Sequence, residues 1–273
     1  MVDKPLLRLS QSQLQVLEAC PRKFQYIYLE QLQLPPNPLE QERLTWGSNF
    51  HLIMQQRELG LPVEPLIATD GEMEKAITAL VTTASELFAP SPQTWRSAEH
   101  SLSWESQGYL FTVIYDLFIA TPTAAQIIDW KTYYKPQNSQ FLRQQWQTKL
   151  YLYLLVEVGD YTPEQVTMTY WFVKNTPPQK VTIAYTQEFH QQTQQELADL
   201  LEDLNTYLDQ YQSQGQEFIQ VSPSAGFCIN CNFAARCDRL RHGCRNRLKS
   251  DRGEHQQAHE AQPSLETIAE ITI

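Results

Sequence analysis

The stretch YLFTVIYDLFIATPTAAQIIDWKT, from Tyr109 to Thr132, decides the fold. Both of its halves are rich in β-branched and aromatic residues, and a turn at Pro122 separates them, which predicts two neighbouring antiparallel strands. Polarity also alternates over residues 98–105, and Gly108 supplies a turn between that segment and the quoted stretch. The sequence therefore predicts a meander of three strands.

Helical and strand patterns surround this meander. Amphipathic segments predict helices at residues 10–19, 22–30, 41–59, 72–88, 140–158 and 187–212, and apolar β-rich segments predict strands at 166–174 and 180–185. This order predicts an α/β (α+β) protein in which helices flank a mixed sheet.

Composition and charge limit the kind of protein. The 273 residues are 42% hydrophobic and carry a net charge of −10, which argues against coating nucleic acid by bulk charge. Seven Lys and Arg residues between Arg236 and Arg252 could still face phosphates, or could form a solvated tail. No stretch is long and apolar enough to span a membrane and no secretory signal is apparent, so we expect a cytoplasmic protein without a membrane partner.

The second half of the quoted stretch ends in Asp129-Trp130-Lys131. Successive side chains of a strand alternate between faces, so Asp129 and Lys131 point the same way. A carboxylate in this position can hold a hard cation, while the ammonium orients a water and offsets charge on a phosphate. The alternative is an ion pair at a strand end.

Asp116 lies in the middle of the preceding apolar strand. Regular alternation would place it on one face with Ile114 and Phe118, and Tyr115 and Leu117 on the other. An ionised carboxylate among such neighbours is costly unless it is paired or bound to a metal, although backbone amides could also satisfy it. Antiparallel pairing would bring it close to the Asp-Trp-Lys segment, where a divalent cation would relieve repulsion between the carboxylates.

Three further polar residues lie on predicted helices. His51 follows Gly47 by one turn, and a glycine there lets the helix approach another element closely and direct the imidazole into a site. A helical histidine is otherwise usually structural. Gln147 and Tyr151 share a face of the helix that follows the Asp-Trp-Lys segment. They could contact a nucleic-acid phosphate or the nearby lysine, or simply mark the boundary of an amphipathic helix.

The cysteines form the other notable pattern. Cys228, Cys231 and Cys237 are clustered, and Cys20 stands far upstream. Three close ligands and one distant ligand fit a [4Fe–4S] cluster better than a zinc ribbon, which would be expected to bring two Cys-x2-Cys pairs. Zinc remains an alternative, and Cys244 is a competing ligand.

Taken together, these segments resemble the RecB-like branch of the PD-(D/E)xK nuclease superfamily. They are similar to CRISPR-associated RecB-like exonucleases and to the iron–sulfur nuclease domain of AddB-type helicase–nucleases. The matching segments, in the family's order, are LSQSQLQVLEACPRKFQYIYL (Leu9–Leu29), WGSNFH (Trp46–His51), YDLF (Tyr115–Phe118), IIDWKT (Ile127–Thr132), QTKLY (Gln147–Tyr151) and CINCNFAARC (Cys228–Cys237). One departure is Val113, where the family often has glycine.

The resemblance implies a restriction-endonuclease-like αβββαβ core with a C-terminal cysteine-rich iron–sulfur lobe. It implies a Mg²⁺- or Mn²⁺-dependent deoxyribonuclease, expected to be an exonuclease of DNA repair, recombination or CRISPR adaptation that acts on DNA beside a helicase or CRISPR adaptation proteins. The alternative is a catalytically idle iron–sulfur DNA-binding or assembly subunit of a larger complex. The implied roles are metal ligands His51, Asp116 and Asp129, catalytic residues Lys131, Asp116 and Asp129, nucleic-acid-binding residues Gln147 and Tyr151, and cluster ligands Cys20, Cys228, Cys231 and Cys237.

The same reasoning predicts how the chain is organised. We expect one nuclease domain over residues 1–249, with its core at about 40–186. Segments 10–30 and 215–249 would form the iron–sulfur lobe, and the polar residues 250–273 would be a disordered tail.

Overall fold

In the computed structural model, a mixed sheet lies at the centre of the first of two units. The structure describes residues 6–32, 35–68, 70–89, 93–136 and 139–239. The first unit takes its described residues from 1–11 and 37–196, and the second from 12–36 and 197–273. The basic cluster beyond Arg239, Cys244 and the predicted tail at 250–273 lie outside the described residues.

Six strands form the sheet within the described part of the chain. They are β1 (Leu7–Leu9), β2 (Trp95–Ser106), β3 (Tyr109–Ala120), β4 (Ala125–Lys131), β5 (Val166–Phe172) and β6 (Gln179–Ala184). Their order is β1-β3-β4-β5-β6, and β2 pairs with the other edge of β3. The β2–β3 and β3–β4 pairs are antiparallel, which confirms the predicted meander, and β4 runs parallel to β5.

Most helices begin and end close to the predicted bounds. The helices are α1 (Gln11–Ala19), α2 (Pro21–Phe24), α3 (Pro38–Glu58), α4 (Glu64–Ile67), α5 (Gly71–Thr83), α6 (Ser85–Phe88), α7 (Phe141–Gln144), α8 (Trp146–Val158) and α9 (Gln187–Gln214). The helix predicted at 22–30 consists of α2 followed by a π-helix at Gln25–Leu29. With α3 ahead of the meander and α8 between β4 and β5, the order is αβββαβ, as the resemblance implied. In the described segments, none of these helices is both long and apolar enough to cross a lipid bilayer.

Two predicted helices, at 72–88 and 140–158, are each divided in two. The segment 140–158 breaks at Gln145, whose extended backbone (φ −71°, ψ 141°) separates α7 from α8. Across the break, the Thr148 hydroxyl donates to the Leu142 carbonyl and so satisfies a carbonyl at the end of α7. The division leaves the start of α8 close to the end of β4.

The two faces of the sheet are covered by different helices. On one face, Leu117, Ile128 and Trp130 pack with Phe50 of α3 and Leu80 of α5 in a buried cluster. Helix α8 covers the other face, and ten of its thirteen residues are buried. Helices on both faces make this a layered α/β fold and bury the centre of the sheet.

The side-chain alternation of β3 changes at its centre, contrary to expectation. The Tyr115 hydroxyl donates to the Tyr151 carbonyl on α8, whereas Leu117 packs in the cluster on the opposite face. The prediction that Tyr115 and Leu117 share a face is therefore wrong. The reason lies on β2, where Glu99, opposite Asp116, has a φ of +49°. A residue in this conformation interrupts the pleat and turns the local strand pair.

The second unit joins two segments distant in sequence. Phe24 stacks on Phe218 with ring centroids 6.3 Å apart, and Tyr207 of α9 packs on Phe218 at 5.2 Å. Arg22 donates to the Phe218 carbonyl at 2.6 Å and pairs with Glu217 at 2.5 Å. The four cysteines that the resemblance assigned to the lobe all belong to this unit.

Candidate active site

The candidate site opens where β3 and β4 separate. These strands pair from Ala120↔Ala125 to Leu117↔Ile128, while β4 continues beside β5 as far as Lys131↔Phe172. Just past the last β3–β4 pair, the Trp130 amide donates to Asp116 Oδ2 at 2.6 Å. A side-chain carboxylate thus takes the place of a strand carbonyl as the acceptor, and a gap lined by Asp116 and Asp129 follows.

Asp129 and Lys131 lie on the same face of β4 and are buried. Lys131 Nζ is 2.6 Å from Asp129 Oδ1. Gln147 of α8 spans the pair: its Oε1 accepts from Lys131 Nζ at 2.7 Å and its Nε2 donates to Asp129 Oδ2 at 2.7 Å. The ammonium of Lys131 lies over the Tyr170 ring, 5.1 Å from the ring centroid. The charged pair is therefore held in one geometry from several sides.

Helix α3 brings His51 to the same gap. His51 Nδ1 lies 3.1 Å from Asp116 Oδ1, so the two oxygens of Asp116 contact different elements. A Cβ at Gly47, one turn earlier, would stand only 3.1 Å from Thr132 Oγ1. This close approach of α3 to the end of β4 is what places the imidazole beside the carboxylate.

The structure adds Glu99, which sequence reasoning missed. It lies on β2 between the pairs Ala98↔Leu117 and His100↔Tyr115, and therefore opposite Asp116. Its φ of +49° is unusual for a residue with a side chain and costs about 1–3 kcal/mol. Such backbone strain is found mostly at functional sites, and here it accompanies a carboxylate that joins the candidate site.

Three side chains of the site could share one metal ion. Ligand atoms of His51, Glu99 and Asp116 all lie within 4.8 Å of one another, and in the described residues this is the one such group of three or more. Asp129 is not in the group, because its carboxylate contacts Lys131 and Gln147. It is nevertheless close enough to Asp116 and His51 for both to affect its pKa.

The electrostatics of the site favour an added cation. Burial, and to a smaller extent the neighbouring Asp116, raise the pKa of Glu99 to about 7. Burial also raises the pKa of Asp129, and the charge of Lys131 offsets this only in part. Burial alone would lower the pKa of His51, but Asp116 outweighs that effect and the pKa is about 9. These shifts show carboxylates crowded together without enough positive charge nearby.

Gln147 and Tyr151 occupy different environments along α8. Gln147 is buried. Of the two contacts predicted for it, with a phosphate or with the nearby lysine, the structure shows the one with Lys131. Tyr151 is also buried, with its ring 5.2 Å from that of Tyr115. Both residues are therefore buried, Gln147 against the Asp129–Lys131 pair and Tyr151 against Tyr115.

The cysteines of the second unit are close enough to affect one another. Burial raises the pKa of the Cys231 thiol, with contributions from Cys20 and Cys228. Burial likewise raises the pKa of Cys237, with contributions from Cys20 and Cys231. All four are free and partly buried.

Comparison with known families identifies the chain. A family model for the PD-(D/E)XK nuclease superfamily matches residues 8–238. The chain belongs to the PD-(D/E)XK nuclease superfamily. The matched region includes strands β2 to β6, most of β1 and all four described cysteines. It also includes the five residues at the gap, which are His51, Glu99, Asp116, Asp129 and Lys131. No curated protein shows a significant match to the sequence.

One solved structure agrees with the fold of this superfamily member. A protein from Eubacterium rectale, assigned as a candidate exonuclease, superposes with a TM-score of 0.53 at 14% identity, covering 85% of this chain and 88% of that one. The structure of SSO0001 superposes with a TM-score of 0.37 at 11% identity, covering 87% of this chain and 89% of that one. At these identities the first comparison bears on the fold alone, and the second score is too low to add to it.

Proposed function

We propose that this chain is a divalent-metal-dependent deoxyribonuclease that hydrolyses phosphodiester bonds, and that it acts as an exonuclease. One observation carries the proposal: the His51–Glu99–Asp116 group lies in the same gap as the buried Asp129–Lys131 pair. Membership of a nuclease superfamily supports it, as does likeness to a protein assigned as a candidate exonuclease. A role in repair, recombination or CRISPR adaptation stays a prediction.

The residues of the gap fit a hard divalent ion. Mg²⁺ and Mn²⁺ prefer carboxylate oxygens, and Mn²⁺ also accepts imidazole nitrogen. Asp116, Glu99 and His51 supply these donors, and Asp129 offers a further carboxylate at the other side of Asp116. We therefore assign His51, Asp116, Asp129 and Glu99 as ligands of the ion. Asp129 is included because the family resemblance implies it, and Glu99 because it lies close to His51 and Asp116.

The protein's own groups would prepare the reaction. A bound divalent ion supplies Lewis-acid chemistry, polarising a phosphoryl oxygen and lowering the pKa of water. Lys131, whose ammonium is fixed by Asp129 and Gln147, orients the attacking water and offsets charge that develops on the phosphate. Gln147 is a positioning residue, because it acts through its hydrogen bonds to the other two.

An iron–sulfur cluster on Cys20, Cys228, Cys231 and Cys237 is the second part of the proposal. Cys20 contributes to the raised pKa of both Cys231 and Cys237, so the early cysteine lies near the late ones. Three clustered ligands and one distant ligand favour a cluster over a zinc ribbon, which would be expected to bring two Cys-x2-Cys pairs. Elemental analysis of anaerobically purified protein should find about four irons per chain. Stoichiometric zinc without iron would replace the cluster with a zinc site.

The nuclease proposal is tested by removing the lysine. With Mg²⁺ or Mn²⁺ the purified protein should degrade linear DNA, and Lys131→Ala should reduce the rate by at least about a hundredfold, as losing one transition-state donor does. The matched control is Lys180→Ala, which removes an exposed lysine that lies over the Trp171 ring. Circular dichroism should show that both variants fold.

Each alternative has its own outcome. Equal rates for the wild type and Lys131→Ala would remove the catalytic assignment. Mn²⁺ binding without cleavage of any DNA would indicate the catalytically idle subunit. An exonuclease should degrade linear DNA and spare a covalently closed circle, so cleavage of the circle would show an endonuclease.

A further inference from the structure

Three segments of the first unit meet beside the candidate active site. The end of β4 runs next to the end of β5, where the Val173 amide donates to the Lys131 carbonyl at 3.0 Å. The chain after β4 stays attached to the same edge, since the Lys135 amide donates to Asn175 Oδ1 at 2.8 Å. Helix α3 reaches this edge through the close approach of Gly47 to Thr132.

Cationic and aromatic side chains collect on these segments; Arg43 and Tyr134 are exposed, and Lys135 and Lys174 are partly buried. Tyr134 is 71% exposed, and its Cα is at most about 11 Å from that of Lys131, because it lies three positions further along the chain. Lys135 follows it directly. Lys174 lies two residues after β5, with its ammonium 3.3 Å from the Trp46 ring centroid and 3.6 Å from a carboxylate oxygen of the exposed Glu72. We call Arg43, Tyr134, Lys135 and Lys174 the carboxyl edge.

Arg43 extends the carboxyl edge along α3. Residues 43, 47 and 51 are four apart, so they lie on one stripe of the helix. His51 on that stripe contacts Asp116 and Gly47 approaches Thr132, which directs the stripe toward the end of β4. Arg43 is exposed, and in the described part of the chain neither Arg43 nor Lys135 makes an ion pair.

We propose that the carboxyl edge binds single-stranded DNA and delivers its scissile phosphate to the gap. The cations would contact backbone phosphates, and Tyr134 would stack on an unpaired base. In a duplex the base faces are covered by their neighbours, so a single exposed aromatic beside the site favours an unpaired strand. The inference rests on the proposed nuclease function and names its substrate class.

Binding can be measured separately from cleavage. Fluorescence anisotropy with a labelled oligothymidylate, and with a blunt-ended duplex, is carried out without added divalent ions. Tyr134→Ala should bind the oligothymidylate about five- to a hundredfold more weakly, the range for one base stacked on an aromatic ring. Tyr134→Phe keeps the ring and should bind within about twofold of the wild type. Thermal melting should show that both variants fold.

The salt dependence tests the cations. Arg43→Ala should reduce the slope of log affinity against log salt by about 0.7, as expected for one lost phosphate contact on a single strand. Arg8→Ala is the matched control, because Arg8 is an exposed cation on β1, which pairs with Tyr109–Phe111 at the start of β3, at least five residues before Asp116. It should leave the slope unchanged.

Two results would overturn the inference. One is unaltered oligothymidylate binding by Tyr134→Ala. The other is an equal loss of affinity for the blunt duplex, which would assign the carboxyl edge to double-stranded DNA. If DNA is not cleaved by the wild type with Mg²⁺ or Mn²⁺ and yet Tyr134→Ala loses single-strand binding, the nuclease proposal fails while the binding surface remains.

Discussion

At the scale of the residue, the site combines a costly backbone with costly charges. Glu99 holds a φ of +49° in the middle of a strand, and its carboxylate faces Asp116. Both the conformation and the crowding of carboxylates destabilise the ion-free protein. A divalent cation offsets the repulsion, so the same residues that weaken the fold are those that would hold the ion.

Replacing Glu99 should therefore separate stability from ion binding. We expect Glu99→Gly to raise the free energy of unfolding of the ion-free protein by about 1 kcal/mol, because glycine adopts positive φ without strain and the buried carboxylate is removed. The same change should weaken Mn²⁺ binding at least about tenfold, through loss of a ligand. Urea denaturation and electron paramagnetic resonance of free Mn²⁺ measure the two effects.

The matched control for this prediction is Glu105→Gly on the same strand. Glu105 is exposed and pairs regularly with Leu110, so glycine there should lower stability by about 0.5–1 kcal/mol and leave Mn²⁺ affinity unchanged. If Glu99→Gly proved less stable than the wild type and bound Mn²⁺ equally well, Glu99 would be neither strained nor a ligand.

At the scale of the element, the position of α3 depends on one small residue. A Cβ at Gly47 would meet Thr132 Oγ1 at 3.1 Å, closer than nearly all real contacts of this kind, while Thr132 Cβ would be at an ordinary 3.9 Å. The hydroxyl oxygen alone thus limits the approach. Because His51 lies one turn further on, any displacement of α3 moves the imidazole relative to Asp116.

Gly47→Ala should weaken Mn²⁺ binding by up to about tenfold, because a shift of a few tenths of an ångström disturbs a ligand without removing it. Thr132→Ala added to Gly47→Ala should restore the affinity, since it removes the clashing oxygen. Calorimetric titration of the two variants and of Thr132→Ala alone measures this coupling. A double variant no better than Gly47→Ala would show that the contact does not set the helix position.

The elements followed from sequence better than the site did. Apolar β-rich patterns located the meander, and the Asp129–Lys131 face followed from strand periodicity. Glu99 was not found, although the turn at Gln107 and Gly108, with φ of 52° and 82°, fixes a hairpin register that places it opposite Asp116. The change of faces at Tyr115 could not be predicted, because no residue preference marks a glutamate that adopts positive φ.

At the scale of the whole molecule, the second unit brings together the beginning and the later part of the chain. Cys20 lies near Phe24, and Cys228 to Cys237 follow Phe218, whose ring stacks on that of Phe24. A cluster that joins these segments would close a loop of about 200 residues, and closing so long a loop in the unfolded chain is worth about 5 kcal/mol. Packing and the cluster would then stabilise the same arrangement.

Cys20→Ser should reveal this contribution. We expect it to lower the iron content and to reduce the free energy of unfolding by up to about 5 kcal/mol, because the cross-link between distant segments is lost. Iron analysis and urea denaturation under anaerobic conditions measure both. Cys244→Ser is the control, since the proposed ligand set excludes it, and it should change neither quantity. Iron lost from Cys244→Ser and kept by Cys20→Ser would instead show that the cluster joins only the late cysteines, so that it cannot hold the two ends of the chain together.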